Sequence, residues 1–134
     1  MSSTATQPKV RTFGFRFSAT DAGIILVFIA VTSLLKLAGS PHAWILPIVA
    51  CHFFLFCNVF RVRPRFELAW AGLFIVNVVT CSLLDKLEWN TVLLTQIPVT
   101  IIVILAEMKT PRYHGIFAAR LNPRLPEYLR GEVP

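Results

Sequence analysis

Charge is what this sequence has least of. Only 15% of its 134 residues are Asp, Glu, Lys or Arg, too few for a soluble bundle in which every helix carries a charged face. Cysteine is scarce as well. Cys51, Cys57 and Cys81 form no Cys-x-x-Cys pair and are odd in number, which argues against a disulfide scaffold or a thiolate metal site and leaves them as small polarizable apolar residues. There is no His-Glu-x-x-His, no P-loop, no Gly-x-Ser-x-Gly and no dinucleotide-binding glycine fingerprint. No internal repeat is present to suggest an inverted-repeat carrier. Catalysis needs a constellation that this chain lacks, so the expectation is a protein that is not an enzyme.

Long apolar runs are what it does have. Hydrophobic residues make up 55% of the chain and its mean hydropathy is +0.65. The runs are Ala22–Ala38, Ala43–Phe60, Phe66–Leu84 and Thr91–Ala106, each near the 17 to 20 residues that cross a hydrocarbon core about 30 Å thick. Barrel strands would alternate in polarity over about ten residues, whereas a continuous run satisfies its backbone only as a helix. The predicted fold is therefore all-α: a four-span transmembrane helical bundle over 22–106, preceded by a basic-aromatic segment 1–21 and followed by a short amphipathic tail 107–134.

The basic residues set the expected orientation. Lys9, Arg11 and Arg16, then Arg61, Arg63 and Arg65, then Lys109, Arg112, Arg120, Arg124 and Arg130 fall on one side of such a bundle; only Lys36 and Lys86 fall on the other. Eleven of thirteen on one side predicts an inner (cytoplasmic) membrane protein with both termini in the cytoplasm. The net charge of +6 then reads as topology and contact with anionic lipid headgroups rather than as nucleic-acid binding. Small residues at Ala38-Gly39-Ser40 resemble a signal-peptide cleavage site, but Lys36 interrupts the run before them, and an uncleaved first helix is expected. Trp44, Trp70 and Trp89 near the run ends suit an aromatic belt.

Both ends are rich in anchoring groups. Val10, Phe13, Phe15 and Phe17 alternate with Arg11 and Arg16, a pattern for a segment at headgroup level. Ser18 followed by Asp21 is a helix-start signal. In the tail, Thr110-Pro111 ends the fourth helix, and Tyr113, Ile116, Phe117 and Leu121 are spaced for one face of a short helix that docks on the membrane or on a partner. Arg11, Arg16, Arg61, Arg63, Arg65, Arg112, Tyr113, Phe117 and Arg120 are the expected headgroup or partner contacts.

Depth estimates at 1.5 Å per residue put His52 about 14 Å from the cytoplasmic end, Gln96 about 17 Å, Asn77 about 18 Å, and Thr32 and Ser33 about 17 to 18 Å. If these face inward they form one polar layer near the midplane, its simplest role being hydrogen bonds between helices. His52 is the only ionisable group that deep, and so the candidate proton relay or ligand for a haem or chlorophyll-type pigment. A bis-histidine haem is disfavoured, because His42 and His114 lie outside the runs. Gln96, Thr100 and Glu107 share a helical face beside Pro98, whose missing N–H frees a carbonyl. Glu107 and Glu67 are expected to pair with the basic residues nearby. Phe53, Phe54, Phe56, Phe60, Phe66 and Phe74 offer bulk to lipid, pigment or another subunit. The functional expectation is a non-catalytic subunit of a larger membrane complex, with an oligomeric channel or carrier as the alternative and pigment or haem binding at His52 as a third reading.

Overall fold

The computed structural model describes residues 11–132, so Lys9 and Val10 lie outside the described residues. Those residues form helices and connecting turns, with no strand among them. Ser18 starts the first helix, α1 (Ala19–Leu37): Asp21 N donates to Ser18 Oγ at 3.3 Å, while Ser18 N and Oγ both donate to Asp21 Oδ2 at 2.7 Å. This is a capping box, satisfying orphan N–H groups from both directions. Gly39, at φ +70°, turns the chain out of it.

The second apolar run is two segments. Helix α2 (Ile45–Phe54) widens into a π-helical stretch, Leu55–Phe60, which turns Phe56 and Asn58 inward, where both are buried. It closes at Arg61, left-handed at φ 49°, with Val62 N donating back to Phe56 O at 2.8 Å. A non-glycine residue there costs on the order of 1 kcal/mol, offset by the bond from Arg61 Nη1 to Thr12 O at 2.7 Å.

Pro64 occupies the first position of α3 (Pro64–Leu83), where its missing N–H costs nothing. Helix α4 (Trp89–Met108) contains Pro98. Helices α3 and α4 make the most extensive pairing, α4 also meets the π-helical stretch, and α1 packs on α2. The main core joins Ile48, Phe56, Trp70, Phe74, Val78, Val92 and Val103. Helix α1 adds no buried residue to it.

A helical bundle is therefore present, but only α1, α3 and α4 are long and apolar enough to cross a membrane; Ile45–Phe60 is shorter. The tail also departs from expectation. No helix runs from Tyr113 to Leu121: the chain turns there, Phe117 is left-handed at φ 60°, and only α5 (Ala118–Leu121) and α6 (Leu125–Arg130) are helical. Tyr113, Ala118 and Leu125 bury themselves against Phe60, Met108, Tyr128 and Leu129, making a second core at the Arg-rich end. The tail docks on its own bundle.

Candidate functional site

The residues of the predicted polar layer are only partly brought together. On α3, Trp70, Phe74, Asn77 and Cys81 follow helical spacing; on α4, Val92, Gln96, Thr100, Val103 and Glu107 do the same, all five buried. Asn77 Nδ2 donates to Thr95 Oγ1 at 2.8 Å and Val92 O at 3.2 Å, and lies 3.4 Å from Gln96 Oε1. Gln96 Nε2 donates to Trp70 O at 3.3 Å, Trp70 Nε1 to Thr100 Oγ1 at 2.9 Å, and Thr100 Oγ1 to Gln96 O at 3.1 Å. The network is closed, as buried polar groups in lipid must be.

Trp70 is its centre, and the belt reading of this residue was wrong. It is 3% exposed, stacked on Phe74 (5.2 Å, 8°) on one side and on His52 (4.3 Å, 23°) on the other. His52 Nδ1 lies 2.8 Å from Ile48 O; a carbonyl only accepts, so Nδ1 carries the proton and Nε2 is the nitrogen left for a ligand. One ring face is spent on Trp70, and Phe56 meets the ring at 6.1 Å. His52 thus joins the network by stacking. Thr32 and Ser33 do not join it: α1 packs chiefly on α2. Ser33 Oγ donates to Ile29 O within its own helix, and Thr32 Oγ1 is buried with no partner among the described residues.

A second polar cluster closes the Arg-rich end. Glu107, 1% exposed, accepts from Arg63 Nε at 3.0 Å, from Arg63 N at 3.3 Å and from Thr110 Oγ1 at 3.2 Å. Glu67 instead accepts from the Cys57 thiol at 3.7 Å. Asn122, buried, donates to Pro111 O and Tyr113 O at 2.9 and 2.8 Å and accepts from Arg124 N at 3.0 Å. The chain's beginning is tied in as well: Gly14 N donates to His114 O at 2.8 Å, Arg16 N to Asn58 O at 3.0 Å, and Arg11 Nη1 to Tyr128 O at 3.1 Å.

Burial decides which of the expected surface contacts remain at the surface. Tyr113 is fully buried, its hydroxyl donating to Ile116 O at 2.7 Å. Burial, and then the Glu107 charge, push that phenol up to about 12. Its ring packs inside the tail core rather than standing at the surface. His114 stacks on Tyr128 at 4.6 Å; burial, reinforced by Arg61 and Arg11 and opposed by its bond to Arg112 O, holds its pKa below the usual histidine value. Arg16, Arg65, Phe117 and Arg120 are exposed, while Arg11, Arg61, Arg63 and Arg112 are half-buried.

No family model matches this chain, and no curated protein or solved structure matches it either.

Proposed function

We propose that this protein is a non-catalytic subunit of a larger membrane complex, crossing the inner (cytoplasmic) membrane four times with both termini in the cytoplasm. The observation that carries the reading is α1. This 19-residue apolar helix buries no residue against its own chain, yet it holds a fixed place on α2. Gly23, Val27, Ala30, Leu34 and Leu37 are all exposed. They follow a 4-3-4-3 spacing, the seam of a helix that packs against another helix. Gly23 and Ala30 in that seam let a partner backbone approach closely.

Parity supports the fourth crossing. The segment before α1 and the tail after α4 are hydrogen-bonded together, through Gly14 to His114 and Arg11 to Tyr128. These bonds support a path whose two ends lie on one side. With α1, α3 and α4 each crossing, an even total requires Ile45–Phe60 to cross too. At 1.5 Å per residue its 16 residues reach about 24 Å, a shortfall that local bilayer thinning absorbs at a fraction of a kcal/mol per Å. The excess of arginine at the joined end supports a cytoplasmic position for it. The inward polar groups are spent on one another, which favours a structural layer over a conduction path.

The test is purification from native membranes in mild detergent, comparing the wild-type chain with Gly23→Leu. A Cβ at Gly23 meets nothing within 4 Å in this chain, and the position faces outward, so the chain's own stability should hold. Other subunits at constant stoichiometry with the wild type, lost with Gly23→Leu, are the expected result. Recovery of this chain alone, or only as copies of itself, contradicts the proposal and moves weight to the carrier reading.

A further inference from the structure

Two cations at the Arg-rich end stand outside the ion pairs of the described residues, Arg16 acting on the Asp21 carboxylate through its field alone. Arg16 lies before α1 and Arg61 just beyond the π-helical stretch. Arg16 N is fixed on Asn58 O at 3.0 Å, and Arg61 Nη1 on Thr12 O at 2.7 Å. Neither guanidinium forms an ion pair among the described residues. Partial burial, and next the Arg16 charge, hold Arg61 below the usual arginine pKa, so the two cations sit within each other's field. With His114, Arg63 and Glu67 they line an open depression of about 350 Å³. The other charges there are already engaged, Arg63 with Glu107 and Glu67 with the Cys57 thiol, and Asp21 beside Asn58 spends its Oδ2 on Ser18. The depression keeps an excess of positive charge.

Helices α1 and α2 part to leave a largely apolar groove of about 490 Å³, lined by Ile25, Phe28, Ala50, Cys51 and Phe54 and reaching past Thr32 to Lys36. A narrow stretch continues the groove along Ile25, Phe28, Ala50 and Phe54 to Asp21 and to Asn58, whose carbonyl holds Arg16 N. From Asp21 to Thr32 is eleven residues, about 16 Å of helix, which is the depth of one leaflet of a core about 30 Å thick.

We propose that this edge binds one anionic phospholipid, its phosphate across Arg16 and Arg61 and one acyl chain in the α1–α2 groove. Guanidinium forks match phosphate oxygens in pairs, and a leaflet-deep apolar slot beside them favours a lipid over free phosphate. Binding here is separate from the α1 seam and stands whether or not a partner subunit exists.

The experiment is native mass spectrometry of the full chain, delipidated in mild detergent and titrated with phosphatidylglycerol, with phosphatidylcholine and with soluble glycerol phosphate. One phosphatidylglycerol should be retained in preference to phosphatidylcholine. Each arginine near the surface contributes about fivefold, so Arg16→Gln should lose about fivefold for phosphatidylglycerol and leave phosphatidylcholine unchanged. The Arg16 side chain holds no hydrogen bond among the described residues, so this variant should keep its structure. Ala50→Phe, which fills the groove, should weaken both lipids. Equal binding of the two lipids, an unchanged Arg16→Gln, or glycerol phosphate competing as well as the lipid would each overturn the proposal.

Discussion

Trp70 Nε1 donates to Thr100 Oγ1 across the α3–α4 seam at 2.9 Å, and Thr100 hands its own proton on to Gln96 O at 3.1 Å. Interhelical bonds of this kind contribute about 0.6 to 1.7 kcal/mol in a membrane. A double-mutant cycle of Trp70→Phe and Thr100→Val, followed by unfolding in mixed micelles, should return a coupling in that range. A coupling near zero would mean that the two side chains are neighbours without being partners.

The Arg63–Glu107 pair should respond unequally to the loss of each member. Glu107 is 2% exposed at its side chain and Arg63 24%. Removing Arg63 strands a buried carboxylate, at about 3 kcal/mol. Removing Glu107 leaves an arginine that can turn to water, so Glu107→Leu should cost about 1 kcal/mol. The same unfolding assay ranks the variants, and the reverse order contradicts this account of the cluster.

Docking of the tail should weaken in acid. The docked state holds His114 below its ordinary value, so an undocked tail takes up its proton first. Stability is therefore complete above about pH 7 and falls as pH drops through the ordinary histidine value of about 6.5. Arg61, Arg11 and Glu107 are the charges that act on the ring, and Tyr128 covers it. Hydrogen exchange at Ile116 N, bonded to Val59 O at 2.8 Å, should lose protection between pH 7.5 and 5.5 after correction for intrinsic rates. His114→Phe should flatten that dependence.

Gly115 is where the tail and the end of the π-helical stretch touch most closely. A Cβ there would meet Phe60 O at 2.5 Å and Phe60 C at 2.7 Å, and backbone atoms cannot swing aside. Gly115→Ala should cost about 1 to 3 kcal/mol of tail docking, read as faster proteolysis after Lys109 or Arg112 with the bundle intact.

Much of this architecture is legible in the residues. Apolar runs located α1, α3 and α4 to within three residues, Ser18 and Asp21 announced the start of α1, and the basic cluster beside Glu107 contained its partner. Other features were hidden because depth does not specify facing. Thr32 and Ser33 lie as deep as Asn77, yet α1 packs chiefly on α2 and neither hydroxyl bonds to the Asn77 network. Trp70 sits near a helix end and read as a belt residue; its spacing with Phe74, Asn77 and Cys81 was the signal that it turns inward. The widening at Leu55–Phe60 has no local signature, since it answers to burial of Phe56 and Asn58. The tail's helical spacing lost to Gly115, which lets Phe60 approach and draws Tyr113 into a core.

Four crossings with both ends on one side underlie the whole account, and topology mapping tests them directly. In intact cells, with the native cysteines replaced by alanine, His42→Cys and Lys86→Cys should each react with an impermeant maleimide, while reporters fused to either terminus should register the cytoplasm. Termini on opposite sides would mean three crossings and an Ile45–Phe60 segment that enters the bilayer and returns, contradicting the account.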